Sequence, residues 1–109
     1  MNGYKLLEDA AKLLGLDRAD DNMKIIGLPL VNEIITELGF VPIDSLSEKI
    51  GTASPAVCSA MRFGVAALMA NAVGDTVLYN TLAQTFNQKR STLASKIEKV
   101  RDVLPRGEQ

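Results

Sequence analysis

The chain has no histidine and a single cysteine, Cys58. Without histidine, no His-based triad, dyad or zinc site can be built. With one cysteine, no internal disulfide can form. Cys58 lies in an apolar stretch beside no candidate base, so it reads as a small core residue and not as a nucleophile. The glycines are scattered, and none follows a strand pattern, so no phosphate-cradling loop is present. Asp17, Asp20 and Asp21 lack the glycine and the terminal glutamate of a calcium loop. Asp20 and Asp21 read as first-turn charges of a helix. No cofactor or metal is expected, and an enzyme is not the reading.

Strong charge of one sign is also missing. The formal net charge is -1, which excludes a strongly basic coat for nucleic acid but leaves room for a local basic face. The charges are unevenly placed. Up to Pro55 there are five Lys/Arg and nine Asp/Glu, and from Ala56 onward there are seven and four. No apolar run reaches the ~20 residues of a membrane span. The longest candidate, Pro55 to Val73, contains Arg62 and Asn71. The opening Met1-Asn2-Gly3 shows neither a basic nor an apolar leader region, so no secretory signal is expected. The expectation is a cytoplasmic chain with no membrane contact.

What is present is helical periodicity, with no strand alternation. The spacing predicts helices over about 4–14, 21–38, 55–73 and 76–104, forming a single all-α domain. It is a small bundle of four main helices with a long C-terminal helix. Asn2 caps the first helix and Gly15 ends it. Gly27 and Pro29 fall inside the second, which predicts a kink or a late start. Ser45 to Ile50, SLSEKI, has the spacing of one capped turn. Ser54-Pro55 opens the third helix. That helix is apolar nearly all round, as a central helix would be, with Ala56, Ala60, Gly64, Ala67 and Ala70 allowing close neighbours. Gly74 is expected in a left-handed conformation and Asp75 as the cap of the fourth helix, which makes a tight hairpin. Phe63, Leu68, Leu78, Leu82, Phe86, Ile34 and Leu38 are the expected core.

The fourth helix carries a heptad seam: Tyr79, Phe86, Leu93 and Val100, joined by Ala83, Ile97 and Leu104. Lys89 and Arg90 interrupt it. At about 43 Å such a helix outruns a domain whose radius of gyration is about 13 Å. Two binding elements follow. The basic run Lys89, Arg90, Lys96, Lys99 and Arg101 is a candidate contact for DNA or an acidic partner. The row Leu93, Ile97, Val100 and Leu104 is a candidate subunit interface. That row is covered in one of two ways: the helix turns back after Arg90 over the first helix, or the row meets a neighbour.

Four segments resemble a known family. SLSEKI is similar to a Ser-Leu-Ser-acidic-x-Ile segment of the small head–tail connector, or adaptor, proteins of tailed bacteriophages and prophages. RFGVAALMANAVGD, Arg62 to Asp75, resembles their aromatic, Gly-Val-Ala, small apolar run, Gly-Asp hallmark. FNQKRS, Phe86 to Ser91, is similar to their Tyr-Asn-x-Lys-Arg segment, with Phe86 where tyrosine is common. The opening NGYKLLEDAAKLLG also resembles theirs. The resemblance runs from about Gly3 to Arg90 and departs at Gly27-Leu28-Pro29, inside a helix that is usually continuous. It implies a virion structural protein without catalytic groups. Copies would form a homo-oligomeric ring beneath the portal protein, extend the DNA channel, and dock a further neck or tail-completion protein. Contact with packaged DNA would be non-specific. The protein would sit in the bacterial cytoplasm during assembly and then in the virion neck. The competing expectations are a small helical DNA-binding regulator or antitoxin-like protein, and a helical chaperone or export adaptor.

Overall fold

In the computed structural model, residues 1–51 and 53–103 are described, with side chains through 94. The architecture is all-α: α1 (Gly3–Leu13), α2 (Asp21–Glu37), α3 (Pro55–Ala72) and α4 (Thr76–Val103). Each start is capped by a side-chain oxygen. Asn2 Oδ1 accepts from Lys5 N at 2.8 Å, Asp20 Oδ1 from Met23 N at 2.8 Å, and Ser54 Oγ from Val57 N at 3.3 Å. At the start of α4, Asp75 Oδ1 accepts from Leu78 N at 3.0 Å. These bonds satisfy amides that have no intrahelical partner.

The α3–α4 corner is a Schellman turn. Gly74 sits at φ +82°. Its N–H donates to Asn71 O, and Asp75 N–H donates to Ala70 O at 2.9 Å. A residue with a Cβ is strained in that conformation, which is why glycine stands there.

α3 packs against each of the other three helices, and α1 and α2 also pack on each other. Among the described residues, α4 lies along α3 alone. Close approach is made possible by missing side chains. A Cβ on Gly64 would stand 2.9 Å from both Ile34 and Phe86, so α2 and α4 both press on α3 at that point. A Cβ on Gly27 would stand 2.8 Å from Leu7, at the α1–α2 crossing.

α2 does not start late, as one of the two expectations had it. It begins at Asp21 and stays one helix through Pro29. Proline removes one backbone bond and crowds the preceding turn, but the helix is anchored on both sides of it. Gly27 is seated on Leu7 before the proline, and Val31, Ile34 and Ile35 are buried after it. α4 likewise does not turn back after Arg90. Its backbone remains one helix to Val103.

The core is displaced from its expected centre. Leu82, Phe86 and Ile34 are buried, but Phe63, Leu68, Leu78 and Leu38 are only half-buried. The large side chains sealed from solvent are Leu6, Leu7, Val31, Ile35, Met61, Val65 and Met69. They gather where α1 and α2 meet α3, not where α4 does. Cys58, expected in the core, is also half-buried, with Sγ 3.9 Å from Ala53 O.

The irregular stretch between α2 and α3 is tied down at two places. Asn32 grips it from α2, with Oδ1 accepting from Ile43 N at 2.8 Å and Nδ2 donating to Ile43 O at 2.9 Å. SLSEKI then closes over the start of α1. Tyr4 N–H donates to Leu46 O at 3.0 Å, Gly3 N–H to Glu48 O at 3.4 Å, and Ile50 N–H to Met1 O at 2.9 Å. Asn2 and Lys49 form an isolated antiparallel bridge. Glu48 caps the turn one residue earlier than the spacing predicts. Its Oε2 accepts from Asp44 N at 2.6 Å, not from Ser45 N.

Candidate assembly surface

α4 presents its functional candidates along one line. Leu82 and Phe86 are buried under α3, and Leu78 and Tyr79 are half-buried beside them. The line then reaches the two basic residues that break the seam. Neither projects freely into solvent. Lys89 Nζ lies 5.1 Å from the centre of the Phe63 ring. The Arg90 guanidinium lies 5.6 Å from the centre of the Phe86 ring. These are distances at which a cation is attracted to an aromatic face. Arg90 is also bonded to the Glu37 carboxylate at the end of α2, and its second nitrogen donates to Asn87 Oδ1 at 3.3 Å. The guanidinium stands at a helix C-terminus, where the macrodipole favours a positive charge. Lys89 and Arg90 therefore act within the subunit, as ties between α4 and the rest of the fold.

Beyond them, Leu93 is half-buried and packed against the core. It separates two surface grooves. The first, about 340 Å³, runs between Ala56 and Ser59 of α3 and Gln88, Lys89 and Thr92 of α4. The second, about 490 Å³, lies where the end of α2, the first turn of α3 and α4 converge. Its apolar walls are Leu38, Val57, Leu93 and Ala94, and its polar lining is the Glu37–Arg90 pair. Nothing in the sequence joins these residues: Glu37 and Arg90 are 53 positions apart, and Val57 reads as one more apolar position of α3.

The rest of the sequence-level candidates, Lys96, Lys99, Arg101, Ile97, Val100 and Leu104, lie outside the residues whose side chains are described. The structure therefore brings together Lys89, Arg90 and Leu93 of the proposed contact and interface sets. Gly74 and Asp75 lie at the opposite end of the α3–α4 hairpin, with Val73 and Val77 exposed beside them.

A third cavity, about 300 Å³, is bounded by Met1, Lys49 to Gly51, Ala53, Cys58 and Met61. Among the described residues, no three Asp, Glu or Cys side chains converge as a metal site. Nor is any described helix long and apolar enough to cross a membrane. Comparison of the chain with protein-family models, with curated proteins and with solved structures finds no match.

Proposed function

We propose that the protein is a structural subunit of the neck of a tailed bacteriophage or prophage, a head–tail connector. In this reading its copies form a ring beneath the portal, lengthen the DNA channel and offer a docking surface to a tail-completion protein. No catalytic role is assigned to any residue.

The observation that carries the reading is where the family-like segments lie in the fold. Three of the four reach a joint between elements, and the fourth is α1 itself. SLSEKI closes the start of α1 through backbone bonds from Gly3, Tyr4 and Ile50. The Gly74-Asp75 corner sets the α3–α4 hairpin. In FNQKRS, Phe86 presses on Gly64, and Arg90 bonds α4 to α2. Segments that fix the angles between helices suit a subunit whose work is to hold its shape against neighbours in a cyclic array. A DNA-binding regulator draws less support. Helix-turn-helix readers offer a short helix with free base-contacting side chains, whereas Lys89 and Arg90 are occupied inside the subunit.

The test is to mix the purified protein with the portal protein of the same genome and examine the complex by electron microscopy. A ring seated on the portal is expected. A folded protein that never joins the portal, and that shifts one DNA duplex with sequence preference, would overturn the reading in favour of a regulator.

A further inference from the structure

The groove of about 490 Å³ beside Leu93 is an apolar recess without an occupant among the described residues. The same chain carries an apolar row without a recess. α3 has 18 residues and α4 has 28, and the two run as a hairpin from a tight corner. At a rise of about 1.5 Å per residue, α4 outruns α3 by about 15 Å. Leu93 and Ala94 stand opposite the first turn of α3, at Val57. The backbone of α4 therefore continues past the helix that supports Leu93, through the positions of Ile97 and Val100, and Leu104 follows them in the sequence. The row of these four has spacings of four, three and four residues, those of a helix face that packs on another element. Leu93 is already part of the groove's wall, and the α4 backbone runs on from it as one continuous helix to Val103 without turning back.

Charge points the same way. The α2 wall of the groove ends in Glu37, and Glu33 lies one turn before it on the same face. Glu37 is bonded to Arg90, while Glu33 is exposed and makes no ion pair among the described residues. By the helical spacing of the sequence, Lys96 and Arg101 would fall on either side of the Ile97–Val100–Leu104 row. An apolar row flanked by cations suits an apolar recess edged by carboxylates.

We infer that the groove receives the C-terminal end of α4 from a second copy of this chain. Ile97, Val100 and Leu104 would lie against Leu38, Val57 and Ala94, and Lys96 or Arg101 would face Glu33. Donor row and acceptor groove are different surfaces, so repeated pairing is head-to-tail and closes into a ring when the rotation allows. In this respect the inference rests on the connector reading and names its two subunit faces.

The test uses full-length chains and nuclear magnetic resonance. One copy is isotope-labelled. The other is unlabelled and carries a paramagnetic tag at Asp102→Cys, both in a Cys58→Ala background. Asp102 lies opposite the apolar row in register, so the tag leaves the row intact. Expected is a selective loss of amide intensity in the labelled copy at Leu38, Gly39, Val57 and Ala94. The loss should vanish when the labelled copy carries Ala94→Arg, and again when the tagged copy carries Ile97→Asp. As a check that needs no substitution, the same amides of the native chain should shift with protein concentration. Unchanged intensities and shifts up to the solubility limit overturn the inference. So does a loss centred on another exposed apolar site, such as Ile25 and Ile26 or Val73 and Val77. The connector reading fails separately. Portal-bound rings formed equally well by native protein and by Ala94→Arg would sink the groove contact and leave the ring. A groove contact with no portal-bound ring would do the reverse.

Discussion

α1 and α4 both lie against α3, but they are held there by different means. α1 has 11 residues and uses its whole apolar face. Leu6, Leu7, Ala10 and Ala11 are fully buried, Gly3 admits Ile43 and Leu46, and the backbone of SLSEKI satisfies its first amides. α4 has 28 residues and, among the described residues, rests on one helix. Its described outer face is exposed, and the bond from Arg90 to Glu37 links it to α2. The shorter helix is the more deeply integrated. Burial of apolar area and satisfaction of backbone groups decide how firmly an element is held, and length alone does not.

The contrast can be broken most severely at Leu7. Leu7→Ala removes a sealed side chain at the α1–α2 crossing and should lower stability by about 2–5 kcal/mol, read from the denaturant midpoint. Leu93→Ala, at a half-buried site on α4, should cost well under half of that. Equal losses would mean that α4 is as integral as α1. Next in size is Asn32→Ala. It strands the N–H and C=O of Ile43 in a part-buried place and should cost about 2 kcal/mol. Asn32→Asp should not restore the loss, because a carboxylate has no donor for Ile43 O. Gly74→Val forces a β-branched residue into the left-handed region and should cost about 1–2 kcal/mol, with the thermal midpoint as the measurement. The smallest expected effect is that of truncation after Ala94. It leaves every described side-chain contact in place, so circular dichroism per residue and the urea midpoint should stay near those of the full chain. Assembly should be lost. A truncated chain that melts early would place the missing segment in its own core.

The parts of the fold that could be read from sequence are those fixed by local chemistry. The caps at Asn2, Ser54 and Asp75, the Gly74 corner and the centrality of α3 all follow from residues a few positions apart. What could not be read depends on partners far along the chain. The Asn32–Ile43 grip and the closure of SLSEKI over Gly3 and Tyr4 use backbone groups that carry no sequence signal. The centre of the core was misplaced for a related reason. A helix that is apolar nearly all round does not say which side lies deepest. Here α1 takes the deep side and leaves Phe63 at the edge beneath Lys89. At Pro29 the sequence alone does not say where α2 starts, because propensity is weighed without the anchors at Gly27 and Val31. At the candidate surface, the sequence marks Arg90 as a candidate contact for DNA or a partner and carries no sign of Glu37 beside it. The groove itself arises only when three helix ends converge.

The closure of residues 46–50 over the first helix also dictates when that helix can form. An isolated helix of 11 residues is below the length at which helices persist in water. The amides of Gly3 and Tyr4 must wait for carbonyls more than forty positions later. The α3–α4 hairpin meets no such delay, because its contacts fan out from one tight corner and are short-range near it. The hairpin is expected to organise first, with α1 settling last into a cleft already formed. Stopped-flow refolding reads this directly. Gly74→Val should slow the folding limb, whereas Leu7→Ala should leave it nearly unchanged and speed unfolding. The reverse pattern would make the amino-terminal helix the seed of the fold and not its final piece.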